Sequence, residues 1–188
     1  MRILILGPQG SGKGTQAQRI ASAYGVPHIA TGDMFRAAVA TGSELGAQVG
    51  PILERGDLVP DDLTIDLIRE RLAEEDGFVL DGFPRTVPQA EALDTMLDEI
   101  GKPLDAVILL QVSDDVATER LRERAAKEGR ADDSPEGIAN RLRQYHELTE
   151  LVVDRYQQAG IEVIVDGEQT MDVVFAAIQD ALEGVTAR

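Results

Sequence analysis

The chain of 188 residues, 43% hydrophobic and 28% charged, is long enough for one buried core with small insertions and does not have a disordered composition. A formal charge of −16 excludes a general nucleic-acid binder, because neutralising a phosphate backbone takes a net basic face. With no cysteine and only His28 and His146, the composition excludes disulfides, a thiol nucleophile, cysteine-ligated zinc and a histidine metal cluster. No run approaches the roughly 20 apolar residues of a membrane span, so a cytosolic location is expected, with neither membrane nor nucleic acid as partner.

In chain order, an apolar strand at 2–6 leads through a glycine-rich loop into an amphipathic helix at 13–24. A strand near 27–30 follows, then helices through 33–54 and 61–75. Strands at 78–80, 106–112 and 161–165 precede helices at 87–100, 114–126 and 171–183. The polar stretch KEGRADDSPEG reads as an exposed loop, after which Ser134 caps a helical block at 136–158 with Pro135 in its first turn. Strands alternating with helices need crossover connections, which predicts an α/β three-layer sandwich on five parallel strands. No linker divides the chain, so residues 1–188 are expected as one domain.

Directly after the first strand comes Gly7-Pro8-Gln9-Gly10-Ser11-Gly12-Lys13-Gly14-Thr15, the pattern G-x-x-x-x-G-K in the strand, loop, helix context that a phosphate-binding loop requires. Glycines let successive N–H groups turn towards one phosphate, the helix N-terminus adds its positive end, and Lys13 adds a full charge. A plain glycine turn explains the glycines but not the lysine. Gly14 stands where a hydroxyl residue is usual, which makes Thr15 the candidate hydroxyl near a metal or phosphate.

Ala30-Thr31-Gly32-Asp33-Met34-Phe35-Arg36 and Leu80-Asp81-Gly82-Phe83-Pro84-Arg85 close the second and third strands, with Gln89 four residues beyond Arg85. Carboxyl ends of parallel strands form the ligand-binding edge of an open sheet, so Thr31, Arg36, Asp81 and Arg85 are expected to converge on the loop's cleft. Two arginines aimed at one place suit a phosphate monoester. The blander readings are that Asp81 caps a turn, Arg36 pairs with a nearby acid and Gln89 is an exposed helical residue.

GxGKGTQ at 10–16, TGDMFR at 31–36, LDGFPR at 80–85, GRADD at 129–133 and the arginine of NRL at 141 together resemble the nucleoside monophosphate kinases, specifically the adenylate kinases. The match runs in order across nearly the whole chain; Gln9 departs from it where that family often has proline. The resemblance implies reversible, magnesium-dependent phosphoryl transfer from ATP to AMP giving two ADP, by a monomer. It implies that Lys13 and the amides of Gly10, Ser11, Gly12, Gly14 and Thr15 hold ATP. Arg36 and Arg85 would hold the AMP phosphate, and Thr31 and Gln89 would sense adenine, with the backbone at Leu58 and Val59 lining the base pocket. Gly82 would let the acceptor approach closely. Asp81, assisted by Asp33, would orient magnesium through water. The resemblance also implies a helical AMP-binding insertion at 30–59 and a short lid at 126–136, without structural zinc.

Seven of the 18 basic residues fall between 120 and 143, a local cationic patch in an acidic molecule. Arg120 and Arg124, one helical turn apart, share a face and repel unless an anion lies between them, while Arg122 points away. Arg130 lies in the predicted loop, where it either closes over phosphates or pairs with Asp132 or Asp133. Arg141 and Arg143 cannot share a face, and the resemblance selects Arg141. A phosphate acceptor is already anionic at pH 7, so no general base is needed, and His28 and His146 read as packing or surface residues. The competing expectations are a UMP or CMP kinase, against which Thr31 and Gln89 speak, and a regulatory protein that binds ATP without transferring its phosphate.

Overall fold

The computed structural model describes residues 1–128 and 133–186. Its centre is a five-stranded, all-parallel sheet in the order β2-β3-β1-β4-β5, formed by β1 (Arg2–Leu6), β2 (His28–Ala30), β3 (Phe78–Asp81), β4 (Ala106–Gln111) and β5 (Glu162–Asp166). Alternation along β1 divides the core between the two faces. Leu4 and Leu6 pack with residues of α4 (Asp61–Leu72), α5 (Val87–Glu99) and α8 (Glu150–Gln158), while Ile3 and Ile5 pack with α1 (Lys13–Tyr24) and α9 (Met171–Thr186). The central strands β1 and β4 are nearly continuous apolar runs because both faces are covered, which is how the sequence marked them.

Two helical pairs stand outside this sandwich with small cores of their own. Phe35, Val49 and Val59 gather α2 (Thr31–Ala40) and α3 (Glu44–Glu54). Ala117, Leu121, Ile138 and Leu142 gather α6 (Asp114–Glu128) and α7 (Pro135–Gln144). The helical block read at 136–158 is α7 and α8 joined by a π-helical turn at Tyr145–Thr149. Ser134 caps α7, its hydroxyl accepting from the Gly137 N–H at 3.1 Å, with Pro135 in the first turn as expected.

Several boundaries differ from the sequence reading, most by one residue. Helix α2 begins at Thr31 rather than 33, so Thr31 sits in a helical first turn. Helix α4 stops at Leu72, where its apolar stripe ends, and α6 runs on to Glu128. Among the described residues no helix is long and apolar enough to cross a membrane.

Register places the site. Ile5 of β1 and Ala30 of β2 both lie level with Asp81 of β3, so the glycine loop, the start of α2 and the Asp81-Gly82 turn leave the sheet side by side. Ile108, fully buried in β4 between β1 and β5, anchors this edge of the core. Ile108→Ala should destabilise the protein by about 2–5 kcal/mol, read as a lower urea midpoint with an unchanged slope.

Candidate active site

Helix α1 starts without a side-chain cap: its N-cap Gly12 is left-handed (φ 91°), whereas Ser43, Thr86 and Ser134 cap α3, α5 and α7. The first-turn N–H groups of α1 therefore face the cleft unspent, as an anion site requires. At Gly10 (φ 86°) a Cβ would collide with the Ala117 carbonyl of α6, so only glycine lets the loop lie against that helix. Lys13 folds back over its own loop, its Nζ donating to the Pro8 carbonyl at 3.0 Å. Thr15 is exposed on the first turn of α1.

A cleft of about 910 Å³ joins the residues expected to meet: Gly10 to Thr15, Asp33, Arg36, Asp81, Gly82, Arg85, Arg120, Arg124 and Arg141. Gly82 (φ 79°) is its organising turn. Its carbonyl accepts from the Arg85 Nε at 2.7 Å and from the Thr31 hydroxyl at 2.9 Å. A Cβ at Gly82 would stand 2.8 Å from that hydroxyl and 3.1 Å from the Arg85 guanidinium, so glycine is required for both to converge.

The charges are mutually perturbed. Burial, reinforced by Arg85, Arg124 and Arg141 and opposed by Asp81, lowers the Lys13 ammonium to about 8. Burial likewise lowers Arg85 to about 10, still cationic at neutral pH, with Asp81 opposing. Burial alone would push the Asp81 carboxyl up, but the neighbouring His28 imidazole, Lys13 and Arg85 outweigh it and hold Asp81 below the ordinary carboxylate range. His28 is thus no bland packing residue: its Nε2 lies 3.6 Å from Asp81 Oδ2, and the side chain lines the cleft. A histidine at the start of the strand beside LDG was the available signal.

The arginine patch is also held by an acid. The buried Asp133 carboxylate accepts from Arg124 Nε and Nη2, both at 2.7 Å, and from Arg141 Nη1 at 2.7 Å. Arg120 donates instead to the Gly167 carbonyl at 2.9 Å, so it and Arg124 have separate partners although they share a helix face. Arg122 is exposed, as its spacing predicted, and of Arg141 and Arg143, which do not share a face, Arg141 is buried and Arg143 exposed. Arg130 lies outside the described residues, as do residues 129–132 of the predicted lid. Arg36 pairs with Asp33 across one turn of α2, as the blander reading had it, and lines the cleft at the same time. The sequence reading missed the wall formed by Gly167, Gln169, Thr170 and Met171, although Gln16, just past the glycine loop, donates to the Met171 carbonyl at 2.9 Å.

Thr31, Leu58, Val59 and Gln89 line not the main cleft but an adjoining hollow of about 40 Å³, which meets the cleft at Gly82 and Arg85. That volume holds a few waters and no purine. Gln89 is not the exposed helical residue considered above: it is 2% exposed, with its amide bonded at both ends.

A phosphate loop on an all-parallel, helix-covered sheet, faced by converging arginines, defines a P-loop nucleotide-binding protein. The chain belongs to the adenylate kinase family: the family model described as "Adenylate kinase" matches residues 5–161. The chain is 47% identical over 187 residues to the adenylate kinase of Stenotrophomonas maltophilia (strain R551-3), covering 98% of this chain and all of that one. It is 48% identical over 185 residues to the adenylate kinase of Xanthomonas euvesicatoria pv. vesicatoria (strain 85-10), covering 97% of this chain and 99% of that one.

The lowered Lys13 sets the sign of a linked proton. In the free protein Lys13 is largely neutral at pH 9, and a bound polyphosphate returns it towards its ordinary 10.5. Triphosphate binding at pH 9 should therefore take up close to one proton, and at pH 6.5 almost none through this group. Calorimetry in two buffers of different ionisation enthalpy measures it; zero uptake at pH 9 would contradict the lysine's placement.

Proposed function

We propose that the chain is an enzyme that transfers the terminal phosphoryl group of ATP to AMP reversibly, giving two ADP and keeping adenine nucleotides in balance, as a cytoplasmic monomer. The observation that carries this reading is the gathering of Lys13, Arg36, Arg85, Arg120, Arg124 and Arg141 around one cleft in a molecule of net charge −16. Binding ATP alone would call for the glycine loop but not for arginines on the facing wall.

In this reading the α1 N-terminus and Lys13 hold the ATP phosphates and the wall at Arg120 and Gly167 faces the nucleoside. Arg36 and Arg85 hold the acceptor phosphate, whose oxygen is already anionic and needs no base. Arg124 and Arg141 exchange Asp133 for the transferring phosphoryl group, so catalysis rests on alignment and charge neutralisation. Arg130, in the short lid at 126–136, would join them on closure.

No three His, Cys, Asp or Glu side chains among the described residues could cage a metal by themselves. The donor set does suit magnesium shared with nucleotide phosphates, because Asp81 is ionised and its Oδ2 lies 3.4 Å from the position a Cβ on Gly14 would take. Asp81 and Asp33 would hold the ion through water, with Thr15 nearby, and the ion would neutralise charge on the nucleotide phosphates.

The small hollow implies that the helical pair within 30–59 moves to admit the adenine of AMP between Thr31, Gln89 and the Leu58-Val59 backbone, excluding water as it closes.

A coupled assay with ATP, magnesium and each of AMP, UMP, CMP and GMP should show fast turnover with AMP alone. Fast turnover with UMP or CMP would overturn the base pocket, and binding of ATP without any turnover would replace the enzyme by a regulatory protein. Lys13→Met should lower kcat by about 10²–10³-fold in a folded protein. Arg85→Ala should lower kcat/KM for AMP by about 10- to 100-fold, the worth of a lost charged hydrogen-bond pair.

A further inference from the structure

Asp61 opens α4, two residues beyond the Leu58-Val59 segment that lines the small hollow, and its carboxylate does not cap its own helix. Its Oδ1 accepts from the Gln89 side-chain amide at 2.8 Å, and its Oδ2 accepts from the Thr86 hydroxyl at 3.0 Å. At the other end of the same amide, Gln89 Oε1 accepts from the Arg85 backbone N–H at 2.8 Å. The Thr86 hydroxyl closes the ring by accepting from the Gln89 backbone N–H at 3.4 Å.

The chemistry of these partners decides which way the amide faces. An ionised carboxylate can only accept and a backbone N–H can only donate. Turning the Gln89 amide over would set its oxygen against the Asp61 carboxylate and its NH₂ against the Arg85 N–H, replacing two hydrogen bonds by two repulsions in a site 2% exposed. An amide has two N–H donors and two lone pairs, and the partners among the described residues use one of each. One donor and one acceptor, in a fixed order, remain for whatever enters the hollow.

We propose that Asp61 is a specificity-determining residue: it locks the orientation of the Gln89 amide so that the site accepts a 6-aminopurine and rejects a 6-oxopurine. A 6-aminopurine presents an acceptor at N1 and a donor at its amino group. A 6-oxopurine presents the reverse, a donor at N1 and an acceptor at O6. With the monophosphate held at Arg36 and Arg85 the base edge arrives in one register, so a locked amide suits one order and a freely turning amide suits both. This inference rests on the reading of Gln89 as the base-sensing residue, and Asp61 acts through Gln89 as a positioning residue without touching the base.

The experiment compares kcat and KM for AMP and IMP, at saturating ATP and magnesium, in the wild type, Asp61→Asn, Asp61→Ser, Gln89→Leu and the double variant Asp61→Asn with Gln89→Leu. Asn and Ser can donate as well as accept, so both single Asp61 variants should lower the AMP-over-IMP ratio of kcat/KM by about tenfold or more, one lost hydrogen bond in a buried site. The loss should fall on KM for AMP rather than on kcat. In the Gln89→Leu background Asp61→Asn should change the ratio no further. If Gln89→Leu lowers the ratio while both Asp61 variants keep it, the lock is wrong and the reading of Gln89 survives. If Gln89→Leu keeps the ratio, that reading fails and the lock with it. An equal fall from Asp61→Asn with and without Gln89 would overturn the proposal in favour of a general packing role. Circular dichroism on each variant separates these outcomes from unfolding.

Discussion

Cations crowded into one cleft are the constraint on which the rest of the structure depends. Burial is the largest cost to the Lys13 ammonium, and Arg85, Arg124 and Arg141 add to it, as its lowered pKa records. The fold meets this with two acids from opposite ends of the site. Asp81, at the end of β3, faces Lys13, Arg85 and His28, and Asp133, ahead of α7, binds Arg124 and Arg141. Each acid offsets part of the repulsion among the cations while keeping the arginines aimed at the cleft.

That balance depends on sheet register. β1, β2 and β3 finish level with one another because Ile5 and Ala30 both pair with Asp81, and the loops that follow necessarily start together. A shift of one residue would turn Asp81 into the core and Leu80 into the cleft. The two faces of β1, with Leu4 and Leu6 on one side and Ile3 and Ile5 on the other, hold this register from both layers of helices. The pairs α2–α3 and α6–α7 are packed by small cores of their own, so they can present Arg36 and Arg141 without sharing the rigidity of the centre.

Much of this was legible in the chain. Five apolar runs separated by amphipathic stretches predicted the parallel sheet, because only crossover helices can join such strands and cover both faces. The register of Lys13 behind its glycines predicted the loop, and the spacing of Arg120, Arg122 and Arg124 predicted which would face solvent. Local periodicity carries that information because it depends only on residues a few places apart.

What only the tertiary structure decided are the partners that lie far apart in sequence. Gln89, which the sequence left between a base-sensing residue and an exposed helical one, proved buried, its amide held by Asp61, 28 positions away. His28 looked inert until β2 was paired beside β3, bringing it against Asp81. The wall at Gly167 to Met171 reached the cleft because β5 pairs with β4 and α9 then returns across α1. The sequence by itself determined which groups could donate, accept or carry charge, because those are properties of single residues. Which of them meet was decided by chain topology, because hydrogen bonds and charges act over a few ångströms and only the folded sheet brings such distant residues that close.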